Sequence, residues 1–282
     1  MPIIKNIKFS SMLKLTNTKT CLNYPRKFSS NQDINDSNAP FSAKIIMVTG
    51  DSCGIGQQIA NSFLKAQAKA VILADANLRK PEDSKVINKP KTKRILFETI
   101  SAVEKGNLYR LFKYTKETYK NINIVINNAG DNLESAQEKN INNNVASLVK
   151  GTLLGFQEMQ GTGGIILNMT TLREREPSNN SPIFNQINRF VIKFSRNLSK
   201  NYFNKPTNVN VMTICPFISK NKEVLSLKEI DKIQLSEAIL MVLKTNKNGS
   251  IWIADSDCLY QIDEKQVFSA SKTEGLDNAA PK

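Results

Sequence analysis

The feature that most constrains this chain is a repeated switch of period. Short apolar runs stand at 44–49 (KIIMVT), 70–74 (AVILA), 95–99, 122–127 (INIVIN), 164–170, 209–214 and 250–254. Between them come stretches with helical apolar spacing. In 55–66, Ile55, Ile59, Phe63 and Leu64 share a face; in 108–119, Leu108, Leu111 and Phe112 do. Further helices are predicted near 141–159, 183–201 and 235–243. Continuous apolar runs suit strands buried on both faces, and their alternation with helices predicts an α/β fold: a doubly wound parallel sheet of Rossmann type. No linker interrupts the pattern, so a single domain is expected over 43–262. One connection breaks it. Residues 78–94 carry two prolines, many charges and no apolar stripe, which predicts a loop or a poor helix.

Composition narrows the function. The chain has 282 residues, 40 % of them hydrophobic, enough for a sizeable core. It has no apolar run long enough for a membrane span. It contains no His, which excludes Ser-His-Asp and Cys-His catalysis and His-ligated metals; no metal site is expected. Cys21, Cys53, Cys215 and Cys258 show no paired spacing and read as free thiols. The net charge of +14 could attract nucleic acid, but no basic block is interleaved with aromatics, so nucleic acid is not the expected partner.

Charge is unevenly placed. Residues 1–32 hold Lys5, Lys8, Lys14, Lys19, Arg26 and Lys27 without a single Asp or Glu. Ile3, Ile4, Ile7 and Leu13 could line a short basic helix. This is the composition of a mitochondrial transit peptide, and RKFSS at 26–30 suits removal after Phe28. The segment reads as a tail rather than part of the fold. The expected location is the mitochondrial matrix, with the cytoplasm as the alternative. Residues 33–42 read as a polar linker, and 263–282 as a disordered tail.

VTGDSCGIG at 48–56 joins the first predicted strand to the first predicted helix. Gly50 permits a tight turn, Gly54 lets a pyrophosphate approach the backbone, and Gly56 lets the helix pack close to the sheet. The helix N-terminus then offers its N–H groups and dipole to the phosphates. Asp75 ends the second strand, 19 positions past Gly56, where a carboxylate would accept the ribose hydroxyls of NAD and repel the extra phosphate of NADP. Arg79 and Lys80 stand close by and soften that preference.

Thr49–Gly56 (TGDSCGIG) together with Asn127-Asn128-Ala129-Gly130 resembles the short-chain dehydrogenase/reductase family. The resemblance covers about 43–260. INNNVASLVKGTLLGFQEM at 141–159 looks like the family's fourth long helix, with Asn144 at its Asn position. GGIILNMTT at 163–171 looks like the fifth strand and active-site loop. NGSIWIAD at 248–255 is similar to the ending of insect alcohol dehydrogenases and NAD-dependent 15-hydroxyprostaglandin dehydrogenases. The resemblance implies NAD held by Thr49, Gly50, Gly54, Ile55, Gly56, Asp75, Asn128, Ala129 and Gly130. It also implies a dimer face on the two long helices, as a homodimer or a heterodimer with an active relative.

In that family a Ser, a Tyr and a Lys act with the Asn, the Tyr passing a proton and the Lys lowering its pKa. Here the Ser position is Thr171, which keeps a hydroxyl. The Tyr position, 13 beyond it, is Phe184, and the Lys position, four further, is Asn188. Phe has no proton to give and Asn no charge. Lys193 lies about 140° further round the helix from Asn188. The family's Pro-Gly after the sixth strand is Pro216-Phe217, its small-residue loop is LREREP at 172–177, and an adenine-contacting Asp is replaced by Ser101. The leading expectation is an NAD-binding member with impaired hydride transfer. The alternatives are an active NAD-dependent oxidoreductase on secondary alcohols or hydroxy-lipids with a non-standard proton donor, and a basic scaffold for mitochondrial RNA.

Overall fold

A computed structural model describes residues 20–23, 40–50, 54–75, 95–99, 106–128, 138–170, 172–173, 182–200, 208–218, 229–254 and 258–263. The strands are β1 (Thr20–Asn23), β2 (Ile45–Thr49), β3 (Ala70–Asp75), β4 (Ile95–Thr99), β5 (Ile124–Asn127), β6 (Gly164–Met169), β7 (Leu172–Arg173), β8 (Val209–Ile218), β9 (Ile251–Ala254) and β10 (Cys258–Ile262). The helices are α1 (Ile55–Lys65), α2 (Asn107–Tyr119), α3 (Glu138–Met159), α4 (Pro182–Ser199) and α5 (Glu229–Thr245).

The sheet runs β1-β10-β9-β8-β6-β5-β2-β3-β4. From β4 to β9 every neighbouring pair is parallel. The chain winds from β2 outward through β3 to β4, then crosses to β5 and winds the other way. The winding therefore reverses between β2 and β5, and a crevice opens there at the carboxyl ends of the strands. This is the doubly wound parallel sheet expected from the alternation.

Strand pleating explains why the runs are apolar throughout. Ile46 and Val48 of β2 enter one core with Ile55, Ile59 and Phe63 of α1 and Ala238, Ile239 and Val242 of α5. Ile45 and Met47 enter the opposite core with Leu108, Leu111 and Phe112 of α2, Phe156 and Met159 of α3, and Leu198 of α4. Successive side chains leave opposite faces, and both faces are covered, so every position is buried. Gly155 lets α3 approach closely: a Cβ there would lie 3.1 Å from Ile166 Cδ1 and 3.4 Å from Val125 Cγ2.

The NGS turn before β9 is tied from both sides. Asn248 Oδ1 accepts from the Val211 N–H at 2.9 Å, and its Nδ2 donates to the Ser199 carbonyl at 2.9 Å. Gly249 has φ +71°, and a Cβ there would meet Ser199 Oγ at 2.6 Å. Glycine is required both by the backbone and by the space.

Several boundaries differ from expectation. β8 continues past Ile214 to Ile218, through Pro216, because β9 pairs it up to Pro216↔Ala254 and β7 pairs its last residues. Leu172 and Arg173, read as the start of a loop, form β7, in parallel register with Phe217 and Ile218. β10 forms a hairpin with β9 that no periodicity announced. Residues 20–23, within the segment read as a tail outside the fold, form β1 on the outer edge of β10. Each correction adds a strand through partners distant in sequence, which local patterning does not register. The unusual connection at 78–94 and the tail beyond 263 lie outside the described residues. Among the described residues no helix is long and apolar enough to cross a membrane.

Candidate functional site

At the crevice, Gly50 turns the chain out of β2 with φ +82°, a region that L side chains rarely adopt. Its N–H donates to the Ala74 carbonyl at 2.7 Å, which fixes the turn against β3. Asn128 holds the other side: its N–H donates to the Thr49 carbonyl at 3.0 Å and its Nδ2 to the Gly50 carbonyl at 3.3 Å. Helix α1 opens at Gly54, which offers no capping side chain, and its first turn contains no acidic residue. The positive end of its dipole is thus unopposed by carboxylates of its own turn. Ile55 and Gly56 are buried. A glycine turn, a small N-cap and a closely packed first turn fit the pyrophosphate of a dinucleotide.

Thr49 ends β2 just before this turn. Its hydroxyl is buried and lies 3.5 Å from both the Ile126 carbonyl and Asn127 Oδ1, so it faces β5. Asp75 is the last residue of β3, with its backbone in register with Thr99 of β4. Ala129 and Gly130 lie outside the described residues, as do Thr171 and Ser101. Asn144 stands on α3 and Phe184 in the first turn of α4.

Beneath the crevice runs a polar ladder that the sequence reading missed. Asn127 and Asn168 are register partners on β5 and β6, both fully buried. Asn127 Nδ2 donates to Asn168 Oδ1 at 2.8 Å and to Thr152 Oγ1 on α3 at 3.1 Å. Asn168 Nδ2 donates to Ser195 Oγ on α4 at 2.8 Å, and Ser195 passes its own proton to the Val191 carbonyl at 2.8 Å. Buried amides must find partners, and these find one another. Gly151 is part of the arrangement, since a Cβ there would collide with Asn127 Oδ1. The only signal in the sequence was an Asn inside each of two apolar runs.

A separate buried bond is made by Asn188, the residue that the sequence resemblance matched to the family's Lys. Asn188, one turn beyond Phe184 on α4, is 5 % exposed. Its Oδ1 accepts from Thr170 Oγ1 at 2.6 Å. Thr170 follows β6, so this bond ties the end of that strand to α4. Lys193 is exposed, away from Asn188. Cys215 on β8 is fully buried, which pushes its thiol well above the usual range, so it supplies no nucleophile here. Tyr119 is also raised, by burial and then by Tyr114; it is partly buried against the core that α2 shares with α3 and α4.

A family model described as short chain dehydrogenase matches residues 44–226. The chain belongs to the short chain dehydrogenase family. It is therefore oxidoreductase-like, with an NAD(P)-binding Rossmann fold. It is 32 % identical over 181 residues to a 15-hydroxyprostaglandin dehydrogenase [NAD(+)] of Macaca fascicularis, covering 61 % of this chain and 67 % of that one. It is 25 % identical over 246 residues to alcohol dehydrogenase 2 of Ceratitis capitata, covering 78 % and 95 %. Among solved structures, L-sorbose reductase from Gluconobacter frateurii, complexed with NADPH and L-sorbose, superposes with a TM-score of 0.61 at 19 % identity, covering 77 % of this chain and 97 % of that one. The citronellol catabolism dehydrogenase of Pseudomonas aeruginosa PAO1 gives 0.59 at 21 %, covering 77 % and 95 %. At these identities the two structures speak to the fold.

Proposed function

We propose that this short chain dehydrogenase binds NAD and is catalytically impaired. The observation that carries the reading is Asn188: at the Lys position stands a buried neutral amide engaged by Thr170, one turn beyond a Phe at the Tyr position. A bound NAD would supply hydride chemistry. This chain's part would be to seat the pyrophosphate at Gly50, Gly54 and Gly56 and the ribose hydroxyls at Asp75. Positions 184 and 188 hold no hydroxyl–ammonium pair to carry the substrate's proton. Losing a positioned acid–base group typically costs on the order of 10²- to 10⁴-fold in rate. The carboxylate ending β3, and a relative named for NAD(+), favour NAD over NADP.

The site would then serve sensing or assembly. Leu153 on α3 and Phe190 on α4 are exposed, and Phe190 stacks on Phe194 with centroids 5.5 Å apart. Exposed apolar side chains on both long helices favour pairing of these helices with a second copy or with an active relative. The acid-free segment before Asp33 favours the mitochondrial matrix as location.

The test is a titration of the full chain with NADH, followed by nucleotide fluorescence, beside an assay of secondary alcohols and hydroxy-lipids with NAD. Micromolar binding without turnover supports the reading. Turnover would replace it with the active oxidoreductase, and absence of binding at millimolar NADH would remove the cofactor.

A further inference from the structure

β10 has a strand on each side, and the two are unlike in origin. β9 precedes it directly in the chain and pairs it antiparallel. β1 reaches it from the other end of the chain, in the register Thr20↔Gln261, Cys21↔Tyr260, Leu22↔Leu259 and Asn23↔Cys258. β1 is also the sheet's outermost strand, so among the described residues no strand pairs its far side. Take β1 away, and β10 presents a row of unpaired N–H and C=O groups to solvent, the template on which an extended peptide adds.

Four residues make a weak strand. What favours its pairing is the tether. β1 is joined to the body by residues 24–39, beyond which Phe41 is anchored in the core and packs edge-on against Phe63 with centroids 5.2 Å apart. A short tether holds a weak ligand at an effective concentration in the millimolar range, and the gain vanishes when the tether is cut. Because β10 lies near the chain's other end, the site exists only after the whole body has folded.

We propose that the outer edge of β10 is a strand-acceptor site, occupied in cis by the protein's own residues 20–23, and that this occupant detaches once the chain is cut between β1 and β2. A cut after Phe28 is one such event. Where residues 1–32 act as an address, which rests on the localisation reading above, the folded body holds its own address. Presentation of that segment and folding would then compete.

The first test uses the full chain with Tyr260→Cys, which places a thiol opposite native Cys21. Mild oxidation should join Cys21 to the introduced thiol as a disulfide, with loss of two hydrogens and no change in oligomeric mass. Failure to form it, or a cross-link that doubles the mass, overturns occupation in cis. The second test substitutes a site-specific protease sequence over residues 33–38. After cutting, the N-terminal fragment should leave the body on size exclusion and stay only in the oxidised Tyr260→Cys variant. A fragment that co-elutes when reduced overturns detachment. The third is the full-chain double variant Cys21→Pro, Leu22→Pro. Donors alternate along an antiparallel strand, so one of two adjacent prolines removes a bond to β10. Amide exchange should quicken at 258–262 and not at 251–254, with NADH binding unchanged. Unchanged exchange at 258–262 counts against the pairing, whatever the outcome at the cofactor site.

Discussion

The two halves of the crevice have been treated differently. On the β2 side, Gly50, Gly54, Gly56 and Asn128 remain, residues whose work is done by backbone shape and by hydrogen bonds to that backbone. On the β6–α4 side, the positions proposed to correspond to the family's Tyr and Lys hold Phe184 and Asn188, and the amide of Asn188 is bonded into the framework through Thr170. The first half presents a glycine turn and a helix N-terminus. The second is built to hold itself together. Binding and chemistry in this fold rest on different residues, so one can be kept while the other is lost.

The sharpest way to break that contrast is to restore the pair. Phe184→Tyr with Asn188→Lys should raise turnover of secondary alcohols by about 10²- to 10⁴-fold over the native chain, read as NADH formed. No gain would place the fault beyond the pair, with Phe217 the next residue to change. The lysine would enter a site that is 5 % exposed, so the single Asn188→Lys variant should lose several kcal/mol of stability.

The ladder joining the halves gives the next effect. Gly151→Val would drive a side chain into Asn127 and should destabilise by about 3 kcal/mol, measured from the urea midpoint. Native-like stability would mean that α3 does not press on β5 as closely as described. Thr170→Val removes the donor to a buried carbonyl oxygen and should cost about 1–3 kcal/mol. NADH affinity should be unchanged if the two halves are as separate as argued.

The smallest effect concerns Glu237 on α5. Burial raises its pKa, and Lys65 on α1 partly opposes the rise. A raised carboxyl binds its proton more tightly in the folded state than in the unfolded one. Its contribution therefore favours folding at low pH and declines as pH rises through the folded pKa. Glu237→Gln should remove that decline. Stability curves of the two proteins measured from about pH 4 upward should diverge slightly, with the variant above. A variant that lost stability at neutral pH would mean that the Lys65 attraction outweighs burial.

Much of the fold was legible in the chain. Apolar runs at 44–49, 70–74 and 122–127 had to be strands because both faces are covered. The spacing of Ile55, Ile59 and Phe63 had to be a helix because one stripe is buried. The turn at Gly50 was legible because only glycine adopts its φ without strain. The identities of Phe184 and Asn188, on which the proposed impairment rests, were legible too, since Phe carries no hydroxyl and Asn no charge.

What only the tertiary structure decided depends on partners far apart in the chain. The Thr49 hydroxyl lies against Ile126 and Asn127 of β5. Asn127, read as the start of the N-N-A-G stretch, and Asn168, inside an apolar run, are the rungs of a buried ladder, because amides out of water must meet one another. Residues 20–23, read as outside the fold, found their hydrogen bonds at 258–261. Periodicity reports which face of an element is dry. It carries no record of which distant backbone or amide will satisfy a polar group, because proximity alone decides that.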